Sequence, residues 1–171
     1  MDNHFKIVIP LYNVEKWIKI CLRSVKLQTY KNFQCIIIDD MSTDKTVNII
    51  KTLSRIFQIQ DKIILTENKE KLWEVKNIII TLDGDDWFAS KKVLETLNKT
   101  YNEEDCWLTY GSYAEYPSKA RGKFAKQMPQ HVIDTRSYRQ YEWCSSHLRT
   151  FKYHLWKQIK KEDLLDSEGN F

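Results

Sequence analysis

The sequence predicts an α/β fold with parallel strands, and three observations carry that prediction. Between residues 6 and 66 the pattern runs strand, helix, strand, helix, strand, and helices of this length between strands give parallel neighbours with right-handed crossovers. The runs Phe33–Ile38 and Ile78–Leu82 are almost continuously apolar and rich in β-branched residues, as strands covered on both faces are. The strands also end abruptly on acids or proline, which makes one end of the sheet polar. A chain of 171 residues suits one domain with a single core, burying about 70% of its unfolded surface. Its 42% apolar and 13% aromatic content is that of a globular protein.

The elements follow in order. Lys6-Ile7-Val8-Ile9 is a short β-rich run that Pro10 is expected to end, because proline cannot donate to a ladder. Asn13 is a good N-cap for a helix whose stripe runs Val14, Trp17, Ile18, Cys21, Leu22, Val25. The second strand, Phe33–Ile38, ends on Asp39 and Asp40. A helix capped by Ser42 or Asp44 follows, with Val47, Ile50, Leu53 and Phe57 on one side. Lys62–Thr66 is the third strand. Only about ten residues then lead to the strand near Ile78, fewer than a helical crossover wants. Either Lys71–Lys76 makes a single helical turn or the path is not a standard crossover. Ser90 is placed to cap a helix bearing Val93, Leu94, Leu97 and Tyr101, and Cys106–Tyr110 reads as a further strand. Residues 111–131 read as a long loop. Leu148–Ile159 carries Phe151, Leu155, Trp156 and Ile159 at helical spacing. Trp87, Trp107, Trp143 and Trp156 are expected in the core, with one of them able to stack on a sugar.

The net charge is +4, and its distribution is uneven: residues 117–171 hold 11 basic and 6 acidic residues of the 27 and 23 in the chain. Lys119, Arg121, Lys123 and Lys126 follow one another with no acid between them, which suits an anionic partner or a solvated loop. Only Phe124 interleaves this run, so a nucleic-acid partner is not expected. Cys21, Cys35, Cys106 and Cys144 show no CxxC pair or zinc spacing, and Cys21 and Cys35 read as small core residues. Widely spaced cysteines, no signal-peptide pattern and no apolar run near 20 residues lead to the expectation of a cytoplasmic chain without an integral membrane segment.

The chemistry collects where strands end. Asp83, Asp85 and Asp86 fall within four positions around an Asp-Gly turn. Two such charges about 4 Å apart repel by roughly 4 kcal/mol at an effective dielectric near 20. Such a turn calls for a cation, a raised pKa or splayed side chains; an ordinary polar turn that caps the next helix is the plainer alternative. Oxygen-only ligands suit Mg2+ or Mn2+. In an open α/β sheet, ligands sit at the carboxyl ends of strands, so Pro10–Asn13, Asp39–Asp40 and Asp83–Asp86 are expected side by side. Tyr12 has the chemistry to stack on a base, and Asp40 to accept from a ring N–H and sugar hydroxyls. Singly, Tyr12 also fits a hydrophobic staple, and Asp39 and Asp40 fit acids at a helix entry. There is no GxGxxG and no GxxxxGK[ST], so a metal rather than a glycine-rich backbone has to neutralise phosphate.

Ile7-Val8-Ile9-Pro10-Leu11-Tyr12-Asn13, Ser24 to Gln28 with Tyr30, Ile38-Asp39-Asp40-Met41-Ser42-Thr43-Asp44 and Leu82-Asp83-Gly84-Asp85-Asp86-Trp87 together resemble a family 2 glycosyltransferase. Trp143–Lys152 and Asp166-Ser167-Glu168-Gly169 are similar to segments of the acceptor half of such enzymes. The resemblance implies a GT-A (Rossmann-like) α/β/α sandwich with a mixed, mainly parallel central sheet. It implies one domain over 1–171, with 1–86 holding the nucleotide-sugar and 87–171 forming the acceptor side. The implied reaction is metal-dependent, inverting transfer of one sugar from a nucleotide-sugar, with uracil as the expected base, to a hydroxyl of a glycan, protein or lipid. By the same resemblance Pro10, Tyr12, Asp39 and Asp40 contact the nucleoside. Asp83 and Asp85 form the Asp-x-Asp motif that holds ribose and, through Mn2+ or Mg2+, the diphosphate, and Asp86 is an alternative metal ligand. His147 and Arg149 are candidates for the diphosphate or acceptor side. The Gln-x-x-Arg-Trp signature of processive members is absent.

The chain departs from the family pattern twice. The 68–77 connection is short, with Lys76-Asn77 the nearest counterpart of the usual Arg-Asn pair. No motif fixes the general base, for which Glu142, Asp134 and Asp163 are the available acids, and the pattern breaking off at Phe171 allows a truncated chain with its base further on. The alternatives are a catalytically incomplete nucleotide-sugar-binding module and a sugar nucleotidyltransferase; the latter wants a basic, glycine-rich N-terminal loop that Pro10–Asn13 is not.

Overall fold

The computed structural model describes residues 2–66 and 77–165. The connection 68–76 and the motif at 166–169 lie outside the described residues. Strands are β1 (Phe5–Leu11), β2 (Phe33–Asp39), β3 (Ile63–Thr66), β4 (Ile78–Thr81), β5 (Leu108–Tyr110) and β6 (Arg149–Lys152). Helices are α1 (Ile18–Lys26), α2 (Thr46–Ile56), α3 (Val93–Glu103), α4 (Gln130–Thr135) and α5 (Tyr153–Trp156). The strands form one mixed, mainly parallel sheet in the order β3-β2-β1-β4-β6-β5. The pairs β1–β2, β1–β4 and β2–β3 are parallel. The Lys152 amide donates to the Trp107 carbonyl at 3.0 Å and the Gly111 amide to the Leu148 carbonyl at 3.0 Å, the pattern of an antiparallel β5–β6 pair.

The described residues fall into two compact units, one running up to Trp107 and resuming at Phe151, the other Leu108–Thr150. In the first unit, β1 is central and buries Phe5, Ile7 and Ile9 completely, each stabilising the fold by about 1.5–3 kcal/mol. Cys35, Ile36 and Ile37 of β2 and Ile78, Ile79 and Ile80 of β4 are buried on both faces, as their unbroken apolar runs require. The two consecutive right-handed crossovers put α1 and α2 on one face, where they pack together. Cys21 and Cys35 are buried free thiols. No helix among the described residues is long and apolar enough to cross a membrane.

Three expectations are corrected. Pro10 does not end β1; the strand continues to Leu11. Carbonyls of Val8 and Pro10 accept from Leu82 and Gly84 on the β4 side, so the missing Pro10 N–H faces the side where β4 has already stopped at Thr81. No ladder bond is lost there. Arg149–Lys152 is a strand, not the start of a helix, and only Tyr153–Trp156 is helical. The sheet decides this, because Thr150 and Phe151 pair where helical spacing alone gave no warning. Residues 111–129 form the expected long loop, with local bonds along it: Ala114 bridges Arg121, the Gly122 amide donates to the Tyr113 carbonyl at 3.0 Å, and Ala125 is buried. Trp107, Trp143 and Trp156 leave more than half their surface in solvent.

Gln28 is fully buried and ties α1 to the start of α3. Its amide nitrogen donates to the Ser24 and Ser90 carbonyls at 3.1 and 2.8 Å, and its Oε1 accepts from the Leu94 amide at 3.1 Å. Replacing it with an apolar isostere strands the Leu94 donor. We expect Gln28→Leu to cost about 2 kcal/mol, roughly 5 °C in Tm. Calorimetry checks this, and an unchanged Tm would show that the tie contributes nothing.

Candidate functional site

The strand order places β1 between β2 and β4, so the three polar strand exits lie side by side. The last two carbonyls of β1 face opposite ways, and each holds one neighbour. The Asp40 amide donates to the Leu11 carbonyl at 2.9 Å, and the Gly84 amide donates to the Pro10 carbonyl at 3.2 Å. Tyr12 leaves from between them with 56% of its surface exposed. Asp40 and Asp85 are exposed carboxylates, whereas Asp39, Asp83 and Asp86 are half-buried.

Two loops are laced together beneath Tyr12. Asn13 does not cap α1, which starts only at Ile18 with no side-chain cap. It adopts φ 51, a left-handed conformation that Asn tolerates. Its Oδ1 accepts from the amides of Thr43 and Asp44 at 2.8 and 3.2 Å, and its own amide donates to Ser42 Oγ at 3.0 Å. Asp44 accepts from the amides of Glu15 and Thr46 at 3.1 and 2.8 Å. Burial works against its charged form, but these bonds prevail and hold the carboxyl below the usual aspartate value. The Lys45 amide donates to Glu15 at 3.0 Å and the Val14 amide to Thr46 Oγ1 at 2.9 Å. Asp39 turns inward to the same loop and accepts from the Ser42 amide. The exit of β2 is thereby locked to the exit of β1.

The acidic turn is fixed from three sides. The Asp86 amide donates to the Asp83 carbonyl at 3.0 Å, which closes the turn and brings carboxylate oxygens of these two residues within 4.8 Å of one another. Gly84 is required here: a Cβ would stand 2.7 Å from Leu11 Cβ and 3.2 Å from Val14 Cγ2. Ser24 Oγ accepts from the Phe88 amide at 3.1 Å, and Trp87 stacks on Trp17 with ring centroids 6.5 Å apart and planes 23° apart. Cys21 is buried near these acids. Burial first, and then the fields of Asp86, Asp85 and Asp83, push its thiol up to about 12. The turn's carboxylate oxygens are donors of the kind that suit a hard divalent cation. Asp83 and Asp86 stand at i and i+3 of the turn, while Asp85 of the Asp-x-Asp pair is exposed.

Other sequence-picked residues take local roles. Asp163 accepts from the Lys160 amide at 2.8 Å, and Asp134 accepts from Gln130 at 2.8 Å along α4. Glu142 pairs with Lys126 at 2.7 Å. Arg121 of the basic run donates to the Ala125 carbonyl at 2.6 Å. His147 packs edge-on against Tyr113 with centroids 5.0 Å apart, in the unit that also holds the first residue of β6, the exposed Arg149. Asn77 is buried, and its carbonyl accepts from the Tyr153 amide at 2.9 Å. Asn13, Ser24, Gln28 and Gly84 are the positions whose work sequence reasoning missed. The only hint was a polar pair at i and i+4 beside the apolar stripe of α1, and a lone glycine among acids.

Residues 6–163 match the family described as Glycosyl transferase family 2. The chain belongs to that family. It is 30% identical over 131 residues to "Glycosyltransferase GlyA" of Streptococcus pneumoniae, an alignment covering 72% of this chain and 18% of that protein. The fold is GT-A. It is similar to Staphylococcus aureus TarS 1-349, solved with UDP-GlcNAc, at TM-score 0.66 and 20% identity over 97% of this chain and 51% of the other. It is also similar to the mannosyltransferase PcManGT of Pyrobaculum calidifontis, solved with GDP-Man and Mn2+, at TM-score 0.58 and 16% identity over 92% and 47%. The chain therefore spans less than a fifth of GlyA and about half of each of these structures.

The lacing of the two loops is testable by substitution. Asn13→Ala loses the acceptor and puts a residue without asparagine's tolerance for it into the left-handed region, and is expected to cost about 2 kcal/mol. Asn13→Gly loses only the acceptor and is expected to cost about 1 kcal/mol. Urea denaturation of both variants measures the difference, and equal costs would show that the backbone conformation is not under constraint.

Proposed function

We propose that this family member is the donor-binding and transfer part of a metal-dependent, inverting glycosyltransferase that moves one sugar from a UDP-sugar to an acceptor hydroxyl. The observation that carries the reading is the pair of backbone bonds, Asp40 to Leu11 and Gly84 to Pro10, which gather Tyr12, Asp40 and the acidic turn around one strand end. An exposed ring, an exposed carboxylate beside it and a cluster of oxygen donors next along are the parts that grip a base, a ribose and a cation-bound diphosphate. The nucleotide-sugars held by TarS and PcManGT, and the Mn2+ in the latter, support this.

In this reading Tyr12 and Pro10 flank the base, and Asp40 accepts from it, with Asp39 holding the loop. Asp83 and Asp86 hold Mn2+ or Mg2+, and Asp85, which faces solvent, contacts the ribose or completes the metal's ligands. When bound, the cation neutralises charge on the departing diphosphate. Positioning by the laced loops supplies much of the remaining rate enhancement. All three candidate acids have a local partner: Asp134 has Gln130, Asp163 the Lys160 amide and Glu142 the Lys126 ammonium. Glu142 lines a cavity in the 108–150 unit, and it is the group we nominate to take the acceptor proton.

UDP with Mn2+ is expected to raise Tm of the chain, with EDTA or Asp86→Ala abolishing the rise and Asp85→Ala reducing or abolishing it. Differential scanning fluorimetry with UDP and GDP against Mn2+ and Mg2+ is the check, and a flat response to all four pairs would reject the donor site. Glu142→Gln is expected to keep the UDP–Mn2+ shift while lowering sugar transfer by about 100-fold or more. Coupled UDP-release kinetics read this, and unchanged turnover would remove Glu142 from the mechanism.

A further inference from the structure

Residues between Leu108 and Ser145 line a half-open cavity of about 530 Å3, within the range of small-molecule sites. The rings of Tyr138, Tyr141 and Trp143 form much of its wall, joined by Leu108 and Ile133. Leu108, Ile133, Tyr138 and Trp143 leave 54%, 41%, 49% and 54% of their surface in solvent. A single exposed apolar side chain is ordinary; here four line one concavity, as the walls of small-molecule sites do. The wall is braced from behind. Cys144 is buried with its thiol 3.7 Å from Met128 Sδ, and the Met128 amide donates to the Tyr110 hydroxyl at 2.7 Å.

The polar groups on this wall select the occupant. Arg139, Glu142 and Ser145 line the same cavity, and the phenols and the indole add donors among the ring faces. An acyl chain would strip water from the guanidinium, the carboxylate and the hydroxyls and return no hydrogen bond. An anion would meet the Glu142 carboxylate, while Lys126 is committed to Glu142 at 2.7 Å. A pyranose satisfies both kinds of surface. Its C–H face lies on an aromatic ring, and its hydroxyls exchange hydrogen bonds with a carboxylate, a guanidinium and a serine.

We propose that this cavity binds a sugar ring of a glycan, with Trp143 as the stacking platform. The cavity is lined wholly by residues of the 108–150 unit. Its meaning as acceptor recognition rests on the transferase reading, which it deepens by assigning the acceptor to the glycans.

The test uses the full chain and methyl glycosides of glucose, galactose, mannose and N-acetylglucosamine at millimolar concentration. Saturation-transfer NMR and tryptophan emission follow binding, and UDP with Mn2+ is assayed in parallel by thermal shift. At least one glycoside is expected to bind, Trp143→Ala to weaken it roughly tenfold, and Trp143→Phe to weaken it less. The UDP–Mn2+ shift is expected to survive both changes. Tyr138→Ala, at an exposed ring of the same wall, serves if Trp143→Ala does not fold. The proposal is overturned if no glycoside binds, if the wall variants bind as well as the parent, or if octanol binds more tightly than every glycoside. Concentration-dependent self-association lost in Trp143→Ala would overturn it too, by making a second copy the occupant. Glycoside binding without a UDP–Mn2+ shift would defeat the donor reading and leave the cavity's role intact; the reverse would defeat the cavity's role alone.

Discussion

The arrangement depends on a backbone fact: successive carbonyls of an extended strand point to opposite sides. At the end of β1, Pro10 offers its carbonyl to the acidic turn and Leu11 offers its own to the loop after β2. A strand at the edge of the sheet has one neighbour and cannot do this. Because β1 is central, two loops from distant parts of the chain are fixed on either side of Tyr12. Proline suits this position because its absent N–H falls where β4 has already left the ladder, so it stiffens the exit without losing a bond.

The acidic turn sets a cost that the surroundings offset only in part. Asp83 and Asp86 are brought together by a backbone bond and by packing of Gly84 on Leu11. Their field reaches the buried Cys21 and disfavours its thiolate. Ser24 in the last turn of α1 and Gln28 just beyond its end hold the segment that follows the turn through Phe88, Ser90 and Leu94. The packing of an ordinary helix thus fixes where the carboxylates stand. Carboxylates held this close by the backbone are of the kind whose repulsion a divalent cation would relieve.

Much of this was legible in the sequence because it follows from local pattern. Apolar runs gave the central strands, and strand–helix alternation gave parallel pairing. Acids at strand ends gave the polar edge, with Tyr12, Asp40 and Asp83–Asp86 placed there in advance. What was not legible depends on partners far along the chain. Asn13 has the composition of a helix cap but bonds residues about thirty positions on, and nothing local separates the two uses. Pro10 read as a strand end because its ladder neighbour on each side was unknown. Arg149–Lys152 had helical spacing and became a strand through pairing with distant segments. The exposed indoles of Trp107, Trp143 and Trp156 escaped a rule that sends large apolar groups inward, a rule that holds in one direction only.

The chain leaves the first unit after Trp107 and returns to it by Phe151, and the Lys152 amide closes on the Trp107 carbonyl at 3.0 Å. Departure and return meet at a single backbone bond. The entropy of closing such an excursion grows only slowly with its length, by about 0.6 kcal/mol per doubling. The 108–150 stretch can therefore be lengthened, shortened or exchanged with little added closure entropy while the strand ends around Tyr12 stay as they are. That anatomy lets one scaffold carry different inserts as a single cassette.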